Sequence, residues 1–220
     1  MSDVFPADHP LAADRPVAPN HPVAPANQRL RIALLRLLFV LAFVPLVLGV
    51  PGWSAAAEAA LRVTGTLCVV GAVLGRFWAI LYIGGRKNAE VMQDGPYSIC
   101  RHPLYLFSTL GVIGFGLLLG SLVFAATLGL LAFGLLSATA AREERFLRAS
   151  FGHAYTAYAA RVPRILPRPW LFHTPAQIVL HLNTLRTNLA DAAVFLSTIP
   201  VAEAIRLAHD AGLLHGFAIL

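Results

Sequence analysis

The stretch LFSTLGVIGFGLLLGSLVFAATLGLLAFGLLSATA, residues 106–140, contains no charged side chain. It is long enough to cross a bilayer twice, because one helical crossing needs about 20 apolar residues. Gly120-Ser121 divides it and predicts a tight turn between two antiparallel helices, residues 104–119 and 122–140. The polar clusters that flank it, RHPLY at 101–105 and EE at 143–144, are therefore expected at the same membrane face.

The composition of the whole chain is that of a membrane protein. Of its 220 residues, 57% are hydrophobic and only 13% are charged, with a mean hydropathy of +0.68. The net charge is +6, but the basic residues lie in short segments between apolar runs rather than on one face. This distribution favours membrane orientation over nucleic-acid binding. No metal-ligand spacing is present in the sequence, and Cys68 and Cys100 are interpreted as structural.

The N-terminal part of the chain predicts a tail and two further spans. Residues 1–28 are rich in Pro and Ala and are expected to be disordered. Residues 32–50 and 59–83 are apolar and predict spans one and two, while 104–119 and 122–140 are spans three and four.

The C-terminal part is expected to lie mostly at the membrane surface. Residues 142–161 carry aromatic residues at helical spacing, which predicts an interfacial helix. Residues 169–220 predict amphipathic helices, or a short fifth crossing near 190–202. The expected fold is thus an all-α, polytopic transmembrane bundle of four to five spans, with a core at 29–168 and interfacial helices.

Basic residues predict the orientation of this bundle. Arg29 and Arg31 precede span one, and Arg86, Lys87 and Arg101 lie between spans two and three. Six arginines lie between residues 142 and 168, after span four. The connection between spans three and four carries no Lys or Arg, and after span one the first basic residue is Arg62, within span two. By the positive-inside rule, the N-terminus and both polar clusters are expected in the cytoplasm.

Span two contains an arginine and two glycines of interest. Arg76 lies inside an apolar segment, where an ionisable group is either functional or reaches out to the nearby interface, and the sequence leaves both readings open. Gly71 and Gly75 predict a face that another helix can approach closely. Gly114 and Gly116 of span three are interpreted in the same way.

The chemistry is expected where span three begins. A proline at the first turn suits a helix start, and unpaired backbone N–H groups there can bind an anion. Glu143 and Glu144 offer two carboxylates, which can bind an ammonium, pair with arginine or accept hydrogen bonds from ribose hydroxyls. Both signs of charge together suit S-adenosylmethionine, which carries a carboxylate, an ammonium, a sulfonium and a ribose.

These residues resemble a family of integral-membrane methyltransferases that includes the isoprenylcysteine carboxyl methyltransferases and the phospholipid N-methyltransferases. The likeness covers about residues 95–167 and rests on two separated motifs in the same order. The first is Gly95-Pro96-Tyr97 followed by Arg101-His102-Pro103 and Tyr105. The second is Glu143-Glu144, continued by Phe151-Gly152, Tyr155, Tyr158, Val162-Pro163-Arg164 and Pro167.

The resemblance implies a cytosolic pocket for S-adenosylmethionine, released as S-adenosylhomocysteine. Glu144 is expected to be a solvent-facing carboxylate of this pocket, so that its removal would leave the fold intact. Arg101 and Arg164 are the expected catalytic residues, since Arg101, Arg164 or Arg76 can hold an acceptor carboxylate in a bidentate pair. The expected cofactor-binding residues are Tyr97, Arg101, His102, Pro103, Tyr105, Glu143 and Glu144.

The acceptor is expected to be a lipid-like or prenylated molecule that enters between the helices. The preferred reaction is carboxyl O-methylation of an isoprenylcysteine-like substrate, which requires no metal, and phospholipid N-methylation is the alternative. A sterol-type reductase that uses NADPH has a similar R-H-P element, but Leu104 and the paired glutamates disfavour it. A membrane scaffold without enzymatic activity is the remaining alternative.

Overall fold

The computed structural model describes residues 49–84, 90–178, 182–213 and 217–219. The predicted tail and nearly all of span one lie outside the described residues. Gly49 and Val50, the predicted end of that span, belong to a short strand instead, so the prediction of a helix to Val50 is wrong. The reason is local, because Pro51 follows and disfavours helical backbone at the residue before it.

The regular secondary structure of the described residues is helical apart from two strands of three residues each, β1 and β2, which pair in parallel. A single 3-10 turn occupies Pro169–Leu171. The elements are β1 (Gly49–Pro51), α1 (Ala55–Ile83), α2 (Pro96–Ile99), α3 (Pro103–Leu118), α4 (Leu122–Arg161), α5 (Leu182–Asp210) and β2 (Phe217–Ile219).

Helix α1 packs against α3 at positions without side chains. The Ser54 hydroxyl caps its start by accepting a hydrogen bond from the N–H of Ala57, and the helix ends at Ile83 as predicted. A Cβ atom at Gly65 would lie 2.8 Å from the carbonyl oxygen of Gly114, and one at Gly75 would lie 2.2 Å from the ring of Phe107. The packing role predicted for Gly75 and Gly114 is therefore confirmed, and Gly65 is a further contact of the same kind.

A tight turn joins α3 to α4, as predicted. Gly120 has a φ of 71°, which side-chain-bearing residues rarely adopt, and the Ser121 hydroxyl accepts a hydrogen bond from the N–H of Phe124 to cap α4. Next to the turn, a Cβ at Gly116 of α3 would lie 2.5 Å from the backbone of Ala125 of α4. The two helices of the predicted hairpin thus lie in close contact.

Helix α4 is longer than predicted, with 40 residues. The expected interfacial helix at 142–161 is not separate, because α4 continues into it without a break at the end of its apolar half. Residues 141–151 contain no Gly or Pro to stop a helix. Only Gly152 departs from helical geometry, with a φ of 52° that places a kink there. The glutamate pair is therefore rigidly connected to a membrane helix.

Helix α5 replaces the expected set of amphipathic C-terminal helices with one helix of 29 residues. Ala202 of α5 packs with Val69 of α1 and Leu118 of α3 in a buried apolar cluster. Among the described residues, three helices are long and apolar enough to cross a bilayer, namely α1, α4 and the part of α5 from Asn188. Helix α3, with 16 residues, is shorter than a full crossing. The chain is a helical membrane protein.

The contact between α1 and α3 predicts the effect of adding one methyl group. Gly65→Ala should destabilise the protein by about 1–3 kcal/mol, because backbone atoms of α3 cannot move aside for the new Cβ. Thermal unfolding in detergent measures this. Gly134→Ala is the matched control, since a Cβ there meets nothing within 4 Å. Equal melting temperatures for the two variants would contradict the close packing.

Candidate functional site

The candidate site lies where α1 ends, α3 begins and the polar half of α4 passes. Gly95 starts the short helix α2 with a φ of 57°, and a Cβ at this position would lie 2.4 Å from the ring of Tyr82. Only glycine combines this backbone with this contact. The Gly95-Pro96-Tyr97 motif thus turns the chain beside the end of α1, and Tyr97 follows directly after this turn.

The segment that follows α4 pairs directly with the loop before α3. The backbone N–H of Arg101 donates to the carbonyl of Pro163 at 2.9 Å, and the N–H of His102 donates to the carbonyl of Arg164 at 3.0 Å. Further along, the N–H of Arg168 donates to Ile99 at 2.9 Å. The Val-Pro-Arg motif and the Arg-His-Pro motif are therefore adjacent in space, held together by main-chain hydrogen bonds.

Glu144 is the centre of the charged groups in this region. Its side chain has no exposed surface, and its carboxylate accepts two hydrogen bonds of 3.0 Å from Arg164. It also lies 3.4 Å from a guanidinium nitrogen of Arg101, 3.4 Å from Nε2 of His102 and 3.2 Å from Arg148. The expectation of a solvent-facing carboxylate is wrong, because the two motifs close over it.

These neighbours decide the charge of Glu144, which lies in the polar half of α4 beyond the apolar span. Burial raises the pKa of its carboxyl, but His102, Arg164 and Arg101 outweigh burial and lower the pKa to about 2. A carboxylate held in this way stays ionised at neutral pH. Its function is to fix the positions of Arg101, His102 and Arg164, and the guanidinium of Arg164 is correspondingly engaged.

Glu143 faces a different direction from its neighbour, since successive residues of a helix are rotated by about 100°. Its side chain is partly exposed, and its carboxylate accepts a hydrogen bond of 3.0 Å from the Tyr105 hydroxyl. It lies 3.7 Å from Nδ1 of His102, and the His102 ring stacks on the ring of Tyr105 at 5.3 Å. The glutamate pair therefore divides into one buried and one accessible carboxylate.

A cavity of about 90 Å³, open to the surface, lies beside Glu143. Its wall includes every predicted cofactor-binding residue except Glu144. Tyr155 and Tyr158 also line it, together with apolar side chains from α1, α3 and α4. The sequence places Tyr155 in the aromatic stripe and in the second motif but not among the cofactor-binding residues, and its spacing of three residues from Tyr158 is the signal for a shared face.

Three buried polar atoms in residues of this wall have no hydrogen-bond partner, namely the hydroxyls of Tyr97 and Tyr155 and Nε of Arg101. Nε2 of His102 instead faces the Glu144 carboxylate at 3.4 Å. Buried polar groups are nearly always hydrogen-bonded, so three exceptions in the residues of one cavity favour a polar ligand. Burial raises the pKa of Tyr97 well above its ordinary value and, with the charge of Glu144, raises that of Tyr155 to about 12. Both hydroxyls are thus neutral donors.

The N–H groups at the start of α3 are partly engaged. Those of Tyr105 and Leu106 both donate to the carbonyl of His102, and Pro103 has no N–H to offer. The backbone anion site expected here stays a prediction, and side chains of the cavity wall can also bind an anion. Arg101 is suited to this, because its side chain lines the cavity and its Nε is unpartnered.

A larger cavity of about 610 Å³ lies at the opposite ends of α1 and α3. Its charged side chains pair with one another, Glu58 with Arg62 and Arg206 with both Glu203 and Asp210. None of the residues expected to bind a cofactor or acceptor lines it. The smaller cavity is the candidate active site.

The two motifs that resemble those of integral-membrane methyltransferases form one polar cavity at the end of the apolar helices. The comparisons with known proteins extend this likeness. A family model described as phospholipid methyltransferase matches residues 53–154, from just before α1 to just past the kink of α4. The chain belongs to this family of integral-membrane methyltransferases.

Two bacterial relatives extend the likeness beyond the matched region. One is the cobalt-zinc-cadmium resistance protein CzcN of Cupriavidus metallidurans, 36% identical over 87% of this chain and 89% of its own length. The other is the nickel-cobalt-cadmium resistance protein NccN of Alcaligenes xylosoxydans xylosoxydans, 36% identical over 87% of this chain and 90% of its own length. No solved structure matches the chain.

The two neighbouring glutamates are expected to differ in their effect on stability. Glu144→Gln removes the charge that offsets three arginines, and breaking a buried ion pair typically costs about 3–5 kcal/mol. The partly exposed Glu143 has no such role, so Glu143→Gln is the matched control. Thermal unfolding in detergent should give a much lower melting temperature for Glu144→Gln alone. Similar melting temperatures would contradict the central position of Glu144.

Proposed function

We propose that the chain transfers a methyl group from S-adenosylmethionine to a lipophilic acceptor in the cavity beside Glu143. The observation that carries the proposal is the set of three unpartnered polar atoms in residues that line one cavity, in a member of a membrane methyltransferase family. Such a wall needs a ligand with several polar groups. S-adenosylmethionine fits this requirement.

The residues of the wall suit the charges of this cofactor. Arg101 is suited to bind its carboxylate, through the guanidinium that Glu144 orients. The Glu143 carboxylate is suited to bind its ammonium or a ribose hydroxyl, and the hydroxyls of Tyr97 and Tyr155 can donate to its remaining acceptors. When bound, S-adenosylmethionine supplies an activated methyl group on a sulfonium. Glu144 is a positioning residue in this account, because it acts through Arg101 and His102.

The protein's main contribution is then alignment. The apolar side chains of Ile83, Leu104 and Leu147 line the same cavity and exclude water from it. Near-attack placement of two reactants can supply about 7–11 kcal/mol of a reaction's barrier. The motif residues are held by main-chain hydrogen bonds and by buried ion pairs, so they form a rigid frame for this purpose.

The acceptor is a molecule that enters from the membrane. Ile83 is the last residue of α1 and Leu104 lies in the first turn of α3, so the cavity begins where two apolar helices end. A lipid-like acceptor can therefore place its polar end in the cavity while its chain remains between the helices. The basic segments at this end of the bundle support a cytosolic opening.

Two acceptor groups fit. Carboxyl O-methylation, as in an isoprenylcysteine-like substrate, relies on Arg101 to hold the carboxylate, because Arg164 is engaged with Glu144. N-methylation of a phospholipid amine is favoured by the family description and by the accessible carboxylate of Glu143, which can take up the proton of the amine.

The names of the two relatives connect them with resistance to cobalt and cadmium, together with zinc or nickel. We infer the same physiological context for this chain, with the methylated acceptor as the effector.

Methyl transfer is tested with methyl-labelled S-adenosylmethionine added to membranes that contain the protein. Label should appear in the organic extract, because the acceptor is lipophilic. Treatment of the extract with base then separates the two reactions, since a methyl ester releases volatile methanol and a methylated amine does not. Membranes that contain the Arg101→Gln variant are the control. Equal labelling of both membranes would refute the proposal.

Cofactor binding depends on the accessible glutamate. Glu143→Gln should weaken binding of S-adenosylhomocysteine about 10- to 100-fold, because a hydrogen bond to a charged group contributes about 1.5–3 kcal/mol. The melting temperature without ligand should not change. Calorimetric titration in detergent measures the affinity. Arg142→Gln, one residue earlier and exposed, is the matched control and should bind as the wild type does. Unchanged affinity in Glu143→Gln would remove this residue from the cofactor site.

A further inference from the structure

Arg76 lies inside α1, next to the membrane side of the cavity. It is seven residues, or about two helical turns, before Ile83 of the cavity wall, so both side chains share one face of the helix. Its guanidinium donates to the Ser108 hydroxyl of α3 at 2.6 Å, and Ser108 lies one turn beyond Leu104, which also lines the cavity. Arg76 is therefore about one to two turns deeper in the bundle than the cavity.

The guanidinium is oriented but only weakly neutralised. Ser108 fixes one of its nitrogens, and its carbon lies 5.5 Å from the centre of the Phe195 ring of α5. Its counter-ion, Asp191 of α5, touches it through one oxygen at 3.4 Å, and 61% of the Asp191 side chain is exposed. The pair of Arg164 with the buried Glu144 is bidentate at 3.0 Å by comparison. An exposed single contact is the weaker of the two.

The charge of Arg76 in an apolar helix has a large desolvation cost, and the exposed carboxylate of Asp191 offsets little of it. Arginine has five N–H donors in a planar fork, and the described contacts of Arg76 use the terminal nitrogens once each. Donors thus remain available for a second anion. The guanidinium can bind that anion together with Asp191 or in its place.

We propose that Arg76 binds an anionic group of the acceptor, a phosphate or a carboxylate, set back from the atom that receives the methyl group. This rests on the proposed function, since it assumes that the acceptor reaches the cavity from the membrane. An acceptor chain lying between α1, α3 and α5 passes Arg76 before its polar end reaches the cavity. Arg76 then selects acceptors by the position of their negative charge, while Asp191 is its counter-ion when no acceptor is bound.

The test measures binding of three single-chain probes to the purified protein in a neutral detergent. Dodecyl phosphate and dodecanoate carry the two candidate anions, and dodecanol carries none. Calorimetric titration measures the affinity of each probe. Tighter binding of either anion than of dodecanol is expected, and the better anion identifies the phosphate or the carboxylate as the natural group. Equal binding of all three would overturn the proposal.

Two variants separate recognition from a structural connection between α1 and α5. Arg76→Gln should weaken anion binding at least tenfold while S-adenosylhomocysteine binds as before. Asp191→Asn should strengthen anion binding several-fold, because the competing carboxylate is gone. A purely structural ion pair predicts no gain in Asp191→Asn, and that result would overturn the proposal even if Arg76→Gln failed to fold. If the wild-type protein did not bind S-adenosylhomocysteine, that result would instead refute the proposed function.

Discussion

The buried carboxylate of Glu144 is the interaction on which the rest of the site depends. It is fully buried on a membrane helix, and it neutralises arginines from two segments that are far apart in the sequence. A carboxylate and a set of guanidinium groups are each costly to bury alone, so neither side of this cluster is stable without the other. The cluster forces the loop before α3 and the segment after α4 to close together. The cavity is the space left beside that closure.

The membrane part of the fold follows from simple sequence signals. An uncharged stretch with Gly120-Ser121 near its centre is enough to predict a hairpin, and the hairpin brings its flanking polar residues to one membrane face. The end of α1 at Ile83 follows from the glycines after it. The continuity of α4 was missed because the change from apolar to charged residues resembles an element boundary, although charged residues such as Glu and Arg are good helix formers.

The division of labour between Glu143 and Glu144 is not accessible from sequence. Both side chains are identical, and which one is buried depends on the rotation of α4 about its axis. That rotation is set by contacts elsewhere, such as Gly129 of α4 against Ile113 of α3. The same limit applies to Arg164, whose motif predicted a free acceptor-binding arginine, whereas the fold pairs it with Glu144. Motif membership identifies the residues of the site but not which of them face the ligand.

The main-chain pairing of Arg101 with Pro163 has a consequence for biosynthesis. Its two segments are separated by the whole α3–α4 hairpin, so they can meet only after both helices of that hairpin have formed. A nascent chain stalled before Pro163 has the Arg-His-Pro motif but lacks α5 and the segment that closes over Glu144. The candidate site is therefore a property of the finished fold, and a truncated chain would lack it.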